Sequence, residues 1–158
     1  MPTPVDVTTP SDREIVVRRS FAAPRTLIWD CHTRPELMKR WLLGPPGWSM
    51  PVCEVDLRVG GAYRFRWRND EGHEFGSQGE HVEIVAPERL VTTEKMEGFD
   101  GASTNTLVLT EEDGRTVLTM TMVFPTKEIR DGALQSGMAD GMAISYDRIQ
   151  EIADEKVG

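Results

Sequence analysis

Two neighbouring stretches of this chain alternate apolar and charged residues almost without exception. In VCEVDLRV, residues 52–59, Cys53, Val55, Leu57 and Val59 are interleaved with Glu54, Asp56 and Arg58; in AYRFRWRN, residues 62–69, Tyr63, Phe65 and Trp67 are interleaved with Arg64, Arg66 and Arg68. A period of two belongs to a strand with one buried and one wet face. Gly60-Gly61 between them signals a tight hairpin that sets the arginines beside Glu54 and Asp56. Such exposed cross-strand pairs contribute only about 0.2 to 1 kcal/mol each, so the arginine row reads as a solvated face.

The remaining strands follow from the same period. EIVVRRSF is β-branched and lacks a helical repeat, and ERLVTTEKM carries Leu90 and Val91 after the stop at Pro87. TNTLVLTE and RTVLTMTMVF form a hairpin around EDG, with Leu118, Met120, Met122 and Phe124 set against Val117, Thr119 and Thr121. Residues 73–87 change phase, with Phe75 on odd positions and Val82 and Ile84 on even ones, which predicts a bulge near Gly76 or Gly79. GPPGWSMP, interrupted by three prolines and two glycines, reads as a loop carrying Trp48, and residues 97–103 as another.

Helical spacing occurs in three places. Pro24 starts a short helix with Leu27, Ile28 and Cys31 on one face, and Pro35 a second with Leu37, Met38 and Trp41. Residues 126–155 read as one long helix of roughly 45 Å. Its apolar stripe holds Leu134, Met138, Gly141, Met142, Ser145, Ile149 and Ile152, opposite Asp140, Asp147, Gln150 and Asp154. Gly132, Gly137 and Gly141 each cost about 1 kcal/mol relative to alanine inside a helix, so they imply either close backbone approach or space left for something that is not protein. The predicted order is strand, two short helices, six strands and a long helix. That is an α+β fold in which a curved seven-stranded antiparallel sheet wraps the C-terminal helix.

Composition narrows the functional classes. A chain of 158 residues makes one domain, expected over 13–158 behind a flexible tail at 1–12 that has neither the basic start nor the apolar run of a signal peptide or anchor. The net charge of -8 disfavours nucleic acid and anionic membranes, so neither nucleic-acid binding nor membrane insertion is expected. Cys31 and Cys53 form no CxxC pair and read as inert core thiols of a cytoplasmic protein. No phosphate loop, zinc-ligand spacing or GxSxG is present, and no metal or cofactor is expected.

Four segments carry a family resemblance: TRPELMKRWLLGPPGW, DLRVGGAYRFRW, GEHVEIVAPERLVTTE and SGMADGM. In this order they resemble the activator-of-heat-shock-protein-ATPase-homologue branch of the START-like (SRPBCC) superfamily, which also holds polyketide cyclases and the birch-pollen allergen. The resemblance runs from about Glu14 to the end of the chain. It implies a helix-grip fold with a cavity beside the long helix, and no single activity. Met142 stands where the family more often has an aromatic residue, and His32 where it usually has an apolar one.

On this basis Trp41, Trp48, Tyr63, Phe65, Trp67, Met120, Met122, Met138 and Met142 are expected to wall a ligand pocket, with His81 and the Ser145 hydroxyl among its polar groups. Tyr146 offers a further hydroxyl, and Glu80, His81 and Glu94 are candidate acids or bases wherever one of them faces inward. His73, at a hairpin end, is expected in solvent. The leading expectation is a monomeric or homodimeric protein that binds a small apolar or aromatic molecule. A cyclase-like or hydrolase-like enzyme is the second reading. A module in contact with a chaperone is the third, drawn from the branch name alone.

Overall fold

The computed structural model describes residues 3–98 and 101–157. Along them run β1 (Asp6–Thr8), β2 (Glu14–Phe21), α1 (Arg25–Thr33), α2 (Pro35–Trp41), β3 (Trp48–Val55) and β4 (Ala62–Asn69). They continue with β5 (Glu74–Val85), β6 (Arg89–Met96), β7 (Ser103–Glu112), β8 (Arg115–Val123), α3 (Lys127–Gln135) and α4 (Met138–Val157). The strands form one antiparallel sheet in the order β1-β2-β8-β7-β6-β5-β4-β3. This is the expected α+β helix-grip architecture with eight strands where seven were predicted. The extra strand, β1, lies within the segment assigned to a tail and pairs with β2, Val7 opposite Val17.

Alternation does its work where it is cleanest. In β4, Tyr63, Phe65 and Trp67 are buried, while Arg64 and Arg68 face water and Arg66 is half-buried on the same outer face. Arg64 sits opposite Glu54 in register, 3.7 Å away, and Arg66 reaches Glu97 at 2.7 Å. The first member of that hairpin departs from its pattern. β3 begins at Trp48, so Trp48 is a strand residue and not part of a loop, and it ends at Val55. Beyond it the chain closes a wider turn, with the Asp56 N–H donating to the Ala62 carbonyl at 3.0 Å, which leaves Leu57 and Val59 43% and 67% exposed. Pro51 fits because β3 is an edge strand whose register slips between Ser49 and Val52.

In β5 the bulge falls at Val82, not at Gly76 or Gly79: His81 pairs with Thr92 and Glu83 with Val91, so Val82 is the unpaired extra residue. The physical consequence is a change of face. Ser77 and His81 point inward before it, and Val82 itself is 52% exposed.

The predicted single C-terminal helix is two. Thr126 caps α3, its Oγ1 accepting from the Ile129 N–H at 3.1 Å, and the helix closes with the Ser136 hydroxyl on the Ala133 carbonyl at 2.6 Å. Gly137 then takes φ +83°, a left-handed conformation that ends one helix and admits the next. In α4, Ser145, Ile149 and Ile152 are buried as the stripe requires, and Ala143, Tyr146 and Ala153 widen it. Asp147 and Gln150, placed on the wet face, bond instead to β2 and the residue after it: Asp147 with Arg19 at 2.8 Å, Gln150 with the Ala22 N–H at 2.9 Å.

The core has two parts. Ile149, Ile152 and Ala153 pack with Ile15, Val17, Phe21, Ile28, Leu107, Leu109 and Leu118. Met38, Met50, Tyr63, Phe65 and Trp67 form a separate cluster under β3 and β4. Between the two, beside the first half of α4, the interior is not filled.

Candidate functional site

A cavity of about 630 Å³ separates the two clusters. Ligand pockets run from about 300 to 1,000 Å³, so this space holds a whole small molecule and not merely a few waters. A smaller depression of about 210 Å³ on the outer face, between Arg64, Gln78 and Lys95, is flanked by charged side chains and lacks such an apolar wall.

Trp41, Trp48, Tyr63, Phe65, Trp67, His81, Met120, Met122, Met138, Met142 and Ser145 all line the larger cavity. They come from α2, β3, β4, β5, β8 and α4, which only the closed fold brings together. The aromatic wall is held rigidly. Trp67 stacks on Phe75 at 4.9 Å between centroids, Trp48 meets Phe75 edge-on at 5.4 Å, and Tyr63 lies against Phe65 at 4.8 Å. The Trp41 indole donates to the Cys31 carbonyl and the Trp67 indole to the Leu42 carbonyl, each at 2.7 Å. With both N–H groups engaged, these indoles offer a ligand apolar ring surface only. The Ser145 hydroxyl neither bonds back to its own helix nor stands free: it accepts from the Gly44 N–H at 2.9 Å and ties the α2–β3 loop to α4. Gly141 also lines the cavity, and a Cβ placed on it would meet nothing within 4 Å.

One wall is polar. The Glu94 carboxylate accepts from the Ser77 hydroxyl at 3.0 Å and from the Asn105 amide at 3.4 Å, and Ser103 donates to the other end of that amide at 3.3 Å. The surface Glu94 retains faces the cavity and not bulk solvent, and burial pushes its carboxyl above the ordinary range against the pull of those two donors. Tyr63 donates to the Thr93 carbonyl at 2.7 Å; burial first, and the Glu94 charge second, raise its phenol. His81 is 4% exposed and bonds the Gly61 carbonyl through Nδ1 at 3.1 Å. A carbonyl only accepts, so Nδ1 is the donor here, and Nε2 has no hydrogen-bond partner among the described residues. Of the three candidate acids and bases, His81 and Glu94 face inward, while Glu80 is exposed on the outer face. His73 is exposed, as expected.

Asn105, Ser103, Ser77 and Thr92 belong to this wall and were not among the predicted residues, although Leu107 and Leu109 set the inward phase of β7 and extending it by two-residue steps reaches both Asn105 and Ser103. His32 also borders the cavity, tilted against Trp41 at 4.8 Å. Tyr146 is buried beside it, its ring edge-on to Phe21 at 5.9 Å.

Both cysteines are free, and burial pushes each thiol to about 11. Among the described residues no group of three or more His, Cys, Asp or Glu is arranged to hold a metal ion, and no helix is long and apolar enough to cross a membrane.

Residues 22–154 match the family described as Activator of Hsp90 ATPase homolog 1-like protein. Among solved structures, a protein of Rhodobacter sphaeroides is similar with a TM-score of 0.91 at 29% identity, over 97% of this chain and 99% of that one. A Mycobacterium smegmatis protein is similar at TM-score 0.85 and 26% identity, over 97% and 99% of the two chains. One from Nitrosomonas europaea reaches 0.84 at 25%, over 94% and 99%. None of the curated proteins matches the chain.

Proposed function

The chain belongs to the Activator of Hsp90 ATPase homolog 1-like family, and from that premise we propose that it binds a small apolar or aromatic molecule between the sheet and α4. The observation that carries this reading is the cavity of about 630 Å³ walled by indole, phenyl and thioether groups. An empty apolar void of that size is costly, because its lining forgoes the contacts that close packing supplies. A ligand restores them. Methionines at 120, 122, 138 and 142 suit varied shapes, since an unbranched thioether repacks with little strain. We place the binding in the cytoplasm, where both thiols stay reduced.

Native mass spectrometry of gently purified protein, with displacement of an environment-sensitive apolar dye, tests the proposal. A co-purifying mass of small-molecule size, or saturable one-to-one dye binding lost when bulky side chains fill the cavity, is expected. Dye binding that survives such filling rejects it.

The inward placement of Glu94 and His81 supports a second reading, an enzyme acting on the bound molecule with one of these groups as acid or base. Turnover that persists in Glu94→Ala and His81→Ala removes it. A chaperone contact draws on the family description alone.

A further inference from the structure

We propose that the molecule held in this cavity carries a protonated amine, which pairs with the carboxylate of Glu94. The proposal rests on the binding reading above and adds the charge of the ligand.

Three observations carry it. First, the hydrogen bonds around Glu94 run one way. The Ser103 hydroxyl donates to Asn105 Oδ1, which turns Asn105 Nδ2 toward Glu94 Oε1, and Ser77 donates to Oε2. Each carboxyl oxygen therefore already accepts one bond and keeps a further lone pair for a donor on the ligand. Second, a charge on that carboxyl has no cationic partner among the described residues. No lysine or arginine among the described residues lines the cavity, and Arg64 and Arg66 pair with carboxylates on the opposite face of the sheet. Burial without a counter-charge is also why the Glu94 carboxyl is raised, and a cation seated beside it would reverse the effect. Third, the neighbouring wall is aromatic. The Tyr63, Phe65 and Trp67 rings line it, Tyr63 tilted against Phe65 at 4.8 Å and Phe65 edge-on to Trp67 at 5.8 Å, and aromatic faces attract a cation and repel an anion. The net charge of -8 adds a weaker, long-range attraction of the same sign.

The test compares three probes that share one apolar body: 1-naphthylmethylamine, 1-naphthalenemethanol and 1-methylnaphthalene. Affinities for the full chain at neutral pH are read by calorimetry and by quenching of tryptophan fluorescence. The amine is expected to bind at least about tenfold more tightly than the hydrocarbon, with the alcohol between them. Glu94→Gln is expected to erase the amine's advantage over the hydrocarbon, with circular dichroism showing that the variant is folded. Equal affinities for amine and hydrocarbon in the unaltered protein overturn the proposal while leaving the apolar cavity reading intact, and this comparison needs no variant. An alcohol bound as tightly as the amine, or an amine preference that survives Glu94→Gln, overturns it as well. Failure of the hydrocarbon to bind rejects the cavity reading itself, and the charge proposal with it.

Discussion

His32 donates from Nδ1 to the Ile28 carbonyl oxygen 2.8 Å away, and its second nitrogen, Nε2, is buried with no hydrogen-bond partner among the described residues. Burial lowers its pKa from 6.5 to about 4, so the folded protein keeps this ring neutral where an unfolded chain would protonate it. Between pH 6.5 and about 4 the unfolded state binds more protons, and stability therefore falls as the pH is lowered through that window. The loss from this one group at pH 5 is about 2 kcal/mol. His32→Leu is expected to flatten that acid limb, measured as a smaller drop in Tm between neutral and acid pH. An unchanged drop would place the acid sensitivity elsewhere.

Glu94 works with the opposite sign. Its folded pKa is raised above the ordinary 4.5 by burial, so the folded state holds its proton longer than the unfolded state. The stability associated with that proton is full below 4.5 and is lost as the pH rises through the folded value. Glu94→Gln keeps the shape and removes the charge. Its Tm is expected to match the parent in acid and to exceed it at neutral pH, and a variant less stable than the parent at neutral pH would contradict this.

How much of this was legible depends on how far a local period determines a face. Tyr63, Phe65 and Trp67 could be placed because three arginines alternate with them, and only one phase buries the rings. Met120 and Met122 follow from Leu118 in the same way. Val82 was misplaced because an apolar residue at a bulge reads like an inward one, and only the pairing of His81 with Thr92 and Glu83 with Val91 reveals the extra residue. The break at Gly137 was hidden because Leu134 and Met138 stay in helical phase across it, so hydrophobic spacing does not register the turn. The polar wall was the hardest part. A serine, asparagine or glutamate on a strand reads as solvent-facing on its own, and it is the register of β5, β6 and β7 that turns Ser77, Glu94 and Asn105 toward one another.

Gly79 is required by close approach. A Cβ there would lie 1.8 Å from the Thr93 carbonyl oxygen and 2.8 Å from the Tyr63 ring. That carbonyl is also the acceptor of the Tyr63 hydroxyl, so it cannot retreat without breaking the bond that orients the ring. Gly79→Ala is expected to cost about 3 kcal/mol, and with it several degrees of Tm. Denaturant titration checks the size, and a loss below about 1 kcal/mol would mean that β5 and β6 part easily at this point.

Asp147 joins three parts of the chain. One oxygen accepts from Arg19 at 2.8 Å and the other from the Thr3 N–H at 2.9 Å. The Arg19 side chain is 8% exposed and lies over the Phe21 ring at 5.1 Å, so removing its partner leaves a largely buried cation unpaired. Asp147→Ala is expected to cost about 1 to 3 kcal/mol. In a double-mutant cycle with Arg19→Met, most of that cost should disappear, because no unpaired charge remains.

Gly141 separates the stability of the fold from the function proposed for its cavity. It sits in the first turns of α4 at an ordinary φ with nothing within 4 Å of where a Cβ would stand, so alanine meets no clash. Gly141→Ala is expected to stabilise the protein by about 0.5 to 1 kcal/mol, since it lowers the entropy of the unfolded chain and restores helix propensity. Gly141→Leu extends the same change into the cavity, where the added carbons contact walls that now face open space. A packing defect would be repaired by that substitution, whereas a binding site would be blocked by it. The expected result is a Tm at or above the parent's together with at least about a tenfold loss of apolar-dye affinity. If Gly141→Leu kept full dye affinity at raised Tm, the space beside α4 would be a void and the dye would be bound elsewhere.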